Sequence, residues 1–271
     1  MDIKQIMLVV SAHADPTPAV ATAAGVAARF QAVVDGLCLF HEPMTTAIDS
    51  YAVGPAGIES VLEHRDAEVR KLTTPAELAF RAAMGNERAL WRTDEMTEWG
   101  IALAGCAQIA DLAVVSAPGR DGAMRRMAER LILGGGVPCV IAPAAAATTF
   151  PPRRIAIGWN GSRQARRAVA DAMELLNGAA EVAVVVVGQE APGPDAAALA
   201  RLLERHQVHV AVRRPHGAHG VGQTLLAEAE TFGADLLVMG ALGRSRAEET
   251  LLGGATHALI SGGPLPIFMA H

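Results

Sequence analysis

The residues best placed to do chemistry lie near the C-terminus of this 271-residue chain. The apolar run Leu236 to Met239 ends in Gly240-Ala241-Leu242-Gly243, passes Arg244 and Ser245, and reaches Gly253-Gly254-Ala255-Thr256-His257. Glycines let backbone N–H groups converge on a ligand with no Cβ in the way. The start of a following helix adds unpaired amides and the positive end of its dipole. Together these predict a concave anion site suited to phosphates. The same spacing also describes a strand–turn–helix junction that binds nothing.

Other reactive side chains form no catalytic constellation. Ser162 follows Asn160-Gly161 outside any nucleophile-elbow context, and its expected role is to cap a helix starting at Arg163. His216 and His219 share a Gly-rich loop, with only His206 and His209 near them in sequence, which falls short of a metal site. His257 opens a helix beside the glycines and could titrate with a bound phosphate or point to solvent. The Gly240 loop lacks the lysine of a phosphoryl-transfer loop. No base, nucleophile or metal cluster has the required spacing. The expectation is a binding protein, with no catalytic residues and no metal.

Composition narrows the partners. The chain is 51% hydrophobic and 19% charged, enough for a large core, but only 4% aromatic. The core must therefore be built from Ala, Val and Leu, and Trp91, Trp99 and Trp159 are too few for a base-stacking platform. A net charge of −5 and a pI near 6.0 give no footprint for nucleic acid. Cys38, Cys106 and Cys139 are scattered and odd in number, so a reduced, cytoplasmic setting is expected. The run Ile6 to Val10 is too short for a signal segment, and no apolar stretch reaches membrane-spanning length.

The elements that must position the glycine loop alternate in type. Strands are predicted at Ile3 to Ser11, Ala32 to Phe40, Ala89 to Arg92, Leu112 to Ser116 and Pro138 to Ala142. Helices are predicted at Ala19 to Phe30, from Ile58 through Thr73-Thr74-Pro75 to Phe80, at Asp94 to Ile109 and at Met124 to Leu133. A Pro/Ala/Thr-rich linker spans 144–152. After it come strands at Arg153 to Trp159, Glu181 to Val187, Val208 to Arg213, Asp235 to Met239 and Leu265 to Met269. Their helices are Arg163 to Leu176, Asp195 to His206, Gly222 to Phe232 and Ala255 to Ser261.

The order repeats, and so do residues. Ala110-Asp111-Leu112-Ala113-Val114-Val115 matches Ala234-Asp235-Leu236-Leu237-Val238-Met239, each followed by a turn ending Gly-Arg. Alternating strands and helices imply parallel sheets with right-handed crossovers. The predicted architecture is α/β: two doubly wound, Rossmann-like domains in tandem, at 1–143 and 153–271.

The halves differ at the loop. Counting back from Pro138 and Pro266 sets Arg125-Arg126 against Gly253-Gly254, and Ser116 stands where the second half has Gly240. Met124, Met127 and Leu131 fall at helical spacing, so the helix should run through and leave no amide concavity in the first half. Arg125 and Arg126 are read as solvated charge. The first half is expected to be structural and the second ligand-competent.

Gly240-x2-Gly243-x9-Gly253 resembles the nucleotide loop of the universal stress protein family, and Ile155 to Ser162 resembles that family's opening strand and turn. Gly254 stands where the family has Ser or Thr, and Asn160 where its ATP-binding members carry Asp. The resemblance implies an adenine nucleotide alpha hydrolase-like fold and a stress-response role. Family domains commonly pair through their last strand, so it also implies that the short, apolar closing strands Cys139-Val140-Ile141 and Ile267-Phe268-Met269 pair within the chain as a pseudo-dimer and cover each other's edges, with further homodimerisation left open. It further implies ATP, or a related adenine nucleotide, in the second half. The turn at Trp159 and Asn160 would meet ribose, and the Val187 backbone the base. Met239, Gly240, Gly243, Gly253, Gly254, Ala255 and Thr256 would form the phosphate cradle, with Arg244 and Ser245 beside it. The two departures equally fit a scaffold that holds no nucleotide and acts through protein partners or another small ligand. A weak ATPase is a third reading.

Overall fold

A computed structural model describes residues 2–41, 58–85, 89–96, 109–144, 150–188, 194–215, 220–241 and 259–271. The first half contributes β1 (Gln5–Ser11), α1 (Thr17–Phe30), β2 (Val33–Phe40), α2 (Ile58–Met84), β3 (Trp91–Glu95), β4 (Leu112–Val115), α3 (Gly122–Gly134) and β5 (Cys139–Ile141). The second contributes β6 (Arg154–Gly158), α4 (Arg163–Asp171), α5 (Met173–Asn177), β7 (Glu181–Val185), α6 (Ala196–Arg205), β8 (Val210–Arg213), α7 (Val221–Phe232), β9 (Leu236–Gly240) and β10 (Ile267–Ala270).

The strands form one ten-stranded sheet in the order β3-β2-β1-β4-β5-β10-β9-β6-β7-β8. Each half is parallel and doubly wound, its order reversing between β1 and β4 in the first and between β6 and β9 in the second. The halves meet where β10 pairs antiparallel with β5, with Ile267 opposite Ile141, Phe268 opposite Val140 and Met269 opposite Cys139.

The central strands are apolar on both faces because both faces are covered. In β1, Ile6, Leu8 and Val10 enter the core shared with α1, while Met7 and Val9 enter the opposite core with Met124, Met127 and Leu131 of α3. The Met124 spacing read from the sequence is thus the buried stripe of α3.

The repeated aspartate explains why the motif recurs. Asp111 Oδ2 accepts the amides of Lys4 and Gln5 at 2.8 and 2.9 Å. Asp235 Oδ2 accepts those of Arg153 and Arg154 at the same distances. One carboxylate per half thus fixes the start of the first strand against the fourth, a charge-assisted tie.

Three boundaries depart from expectation. Asp94 and Glu95 belong to β3, not to a helix, because they pair in register with Leu39 and Phe40; the rest of that predicted helix, 97–108, lies outside the described residues. The predicted Arg163 to Leu176 helix breaks at Ala172, where the backbone tightens to φ −84°, ψ 0° and Leu175 N–H bonds back to the Ala172 carbonyl. That turn leaves Leu175 and Leu176 buried. Helix α2 runs through Pro75 as expected, with buried Ala76 and Phe80 anchoring its far side to the core, but it ends at Met84 rather than Phe80. No described helix is long and apolar enough to cross a membrane.

Candidate functional site

In doubly wound sheets ligands sit beyond the carboxyl ends of the strands where strand order reverses. In the second half, β6, β7 and β9 bring Trp159, Asn160, Val187, Met239 and Gly240 to that edge. The remaining predicted cradle, Gly243, Arg244, Ser245, Gly253, Gly254, Ala255 and Thr256, lies outside the described residues, as do His216, His219 and His257.

Each described residue has an identifiable local job. Trp159 is 4% exposed; its ring packs in the core and its indole N–H donates to the Pro194 carbonyl at 3.2 Å, pinning the lead-in to α6. The tryptophan side chain therefore serves packing, and only its backbone remains at the edge. Asn160 Oδ1 accepts the Ser162 amide at 3.1 Å, closing a turn in which Gly161 takes φ 76°. One lone pair of that oxygen and the amide NH2 remain for other partners. Ser162 Oγ accepts the Ala165 amide at 3.2 Å and caps α4, the role expected of it.

Val187 is half-buried just past β7 and packs against the α3/α7-side core. Met239 is buried beneath the edge. Gly240 is fixed by packing: a Cβ there would lie 2.3 Å from the Ala165 nitrogen and 2.4 Å from the Gln164 carbonyl carbon. The N-terminus of α4 crosses directly over the end of β9, and only glycine admits it.

The first half presents the same edge with different residues. Counting from the matched aspartates and the amides they hold, Ser11 stands where Asn160 does and Ser116 where Gly240 does. A cavity of 360 Å³ opens there, lined by Ser11, His13, Asp15, Ser116, Arg120 and Asp121 among others. Ser116 Oγ accepts the Ser11 amide at 3.3 Å, and Ser11 Oγ accepts the His13 amide at 3.2 Å.

Asp121 closes the α3 end of this cavity. Its Oδ1 accepts the amides of Ala123 and Met124 at 2.9 and 3.0 Å, while Oδ2 sits 3.3 Å from His41 Nε2. The His41 amide in turn donates to His13 Nε2 at 3.2 Å, and the two imidazoles stack with centroids 5.3 Å apart. Burial pushes the Asp121 carboxyl up, but the Met124 amide, the His41 ring and the Ala123 amide together hold its pKa below the ordinary value of 3.8. The side-chain and backbone hydrogen bonds of Thr17 lower that of Asp15. Both carboxyls are ionised at neutral pH.

Helix α3 does not run through from further upstream but starts at Gly122, where the Asp121 side chain takes the Ala123 and Met124 amides. The half expected to be structural also carries this cavity. Its signal was present in the repeat, since aligning Asp111 with Asp235 sets Ser11 and Ser116 at the edge positions.

Comparison with known proteins follows the same division. Residues 188–271 match the model of the universal stress protein family. Structurally, the whole chain resembles a universal stress protein from Archaeoglobus fulgidus, at 16% identity and TM-score 0.60, covering 98% of this chain and 95% of that one. It likewise resembles a functionally unknown protein from Pseudomonas aeruginosa PAO1, at 11% identity and TM-score 0.57, covering 99% and 92%. No curated protein matches the sequence. At these identities the structural likeness establishes the fold, and the family statement rests on 188–271. That segment includes β9, Gly240 and the whole glycine loop.

Proposed function

We propose that this protein acts in stress response by binding ATP or a related adenine nucleotide in the crevice between β6 and β9. The observation that carries the reading is a coincidence of position. The family match covers the glycine loop, and that loop leaves β9 at Gly240, beside the Asn160 turn, where strand order reverses. The residues fit a nucleotide in part. Asn160 keeps one acceptor lone pair for a ribose hydroxyl, without the charge assistance of an aspartate. Gly253 and Gly254 would offer backbone amides to phosphates, with Thr256 and Ser245 supplying hydroxyls.

The protein works by binding rather than by catalysis in this reading. Ser162, the serine nearest a nucleophile's place, is committed to capping α4. The two halves act as a pseudo-dimer joined at β5 and β10, in a cytoplasmic protein. A second reading, a scaffold that holds no nucleotide, is favoured by the engagement of the Asn160 oxygen with Ser162.

Native mass spectrometry of freshly purified protein with added ATP separates the two. The nucleotide reading expects one adenine nucleotide per chain, strengthened in Asn160→Asp and lost in Gly243→Val with the circular dichroism unchanged. An absence of adduct in both wild type and Asn160→Asp at millimolar ATP would establish the scaffold.

A further inference from the structure

The cavity in the first half has features that neither packing nor a nucleotide explains. It lies between the ends of β1 and β4, where strand order reverses, and its 360 Å³ is in the range of small-molecule sites. Two of its walls are hydroxyls that are almost wholly buried, Ser11 at 3% and Ser116 at 4% exposure. Each oxygen accepts one backbone amide, and neither hydroxyl hydrogen has an acceptor among the described residues. A buried donor left unmade is costly, so a group lodged in the cavity should accept from it.

The charge of the cavity selects what that group can be. Asp121 already places a carboxylate on the Ala123 and Met124 amides, the position a phosphate would need at this helix N-terminus. Asp15 adds a second negative charge, and among the described residues Arg120 is the one lining guanidinium. A phosphorylated ligand would have to displace Asp121 from its amides and approach both carboxylates. An uncharged polyhydroxyl compound faces neither obstacle. Its oxygens accept from Ser11 and Ser116, and its hydroxyls donate to Asp15, whose carboxylate keeps lone pairs beyond those held by the Thr17 hydroxyl and amide.

We infer that the first half is a second ligand site, taking an unphosphorylated polyol of monosaccharide size between Ser11, Ser116 and Asp15. This site is independent of the nucleotide reading for the second half, since it shares no residue with that crevice.

The test titrates the full chain with ribose, glucose and glucose 6-phosphate, using ligand-observed saturation-transfer NMR and calorimetry. At least one neutral sugar is expected to bind about tenfold or more tightly than the phosphate ester, because the ester meets two carboxylates. Ser116→Ala, with unchanged circular dichroism, should weaken that sugar by about five- to tenfold, the worth of one hydrogen bond. Arg120→Ala should leave it within about twofold. No binding of either neutral sugar to the wild type, tighter binding of glucose 6-phosphate, or sugar binding indifferent to Ser116→Ala each overturns the inference. Binding unaffected by excess ATP also separates it from the second-half site.

Discussion

The two halves of the sheet solve the same edge differently. Both begin with a strand tied to an aspartate, Asp111 or Asp235, and both reverse strand order beside it. In the second half the end of β9 is glycine, and α4 closes down until its backbone touches that position. In the first half Ser116 occupies the equivalent place, the edge stays open, and a polar cavity fills the gap. The first half carries its own anion, Asp121, on the amides that open α3. A duplicated scaffold can therefore diverge in the shape and charge of its edge through two or three residues while its strand ties stay unchanged.

The largest expected effect tests the closed edge. Gly240→Val should destabilise the protein by about 3 kcal/mol, since overpacking must move backbone here rather than a flexible side chain. Chemical denaturation would measure it, and a loss below about 0.5 kcal/mol would mean that α4 does not press on β9. The strand ties come next. Asp111→Ala and Asp235→Ala each remove an ionised acceptor of two amides and should each cost about 2 kcal/mol. Unequal losses, one near zero, would break the equivalence on which the comparison rests.

A smaller effect reads the internal anion. Asp121→Ala should cost about 1 kcal/mol at neutral pH through the lost cap. Because the folded pKa of Asp121 lies below 3.8, its ionic contribution is complete above the unfolded value and disappears as pH falls through the folded one. The difference between wild type and variant should therefore shrink below pH 3.8; a difference that grows on acidification would fail the prediction. The smallest effect is a null reaction. Burial pushes the thiols of Cys38 and Cys139 up to about 12, with the Glu77 charge adding to Cys38. Neither should label with a thiol reagent at pH 7.5 until the protein unfolds, as peptide mapping after alkylation would show.

Much of this architecture was legible before any coordinates. The Asp111 and Asp235 motifs announced the repeat, and the family resemblance pointed to the seam between the closing strands. Boundaries failed where tertiary contacts outweighed local pattern: register with β2 drew Asp94 and Glu95 into a strand, and a tightened turn at Ala172 that buries Leu175 and Leu176 split the predicted Arg163 to Leu176 helix. At the candidate site the sequence named Asn160 and Gly240 but not their hydrogen-bond and packing partners. An Asx turn to Ser162 and a backbone crossing at Ala165 depend on angles that residue types leave open. The first-half cavity escaped because serines at strand ends look unremarkable singly. Their meaning comes from being paired across β1 and β4.

The seam between β5 and β10 spans only three register pairs. Separate subunits joined by so short a ladder would dissociate easily, but a covalent tether holds the partners at an effective concentration in the millimolar range. Fusion thus keeps the lobes together without a long ladder. The seam side chains, all buried in cores that both halves share, must stay well packed while the outer edges diverge.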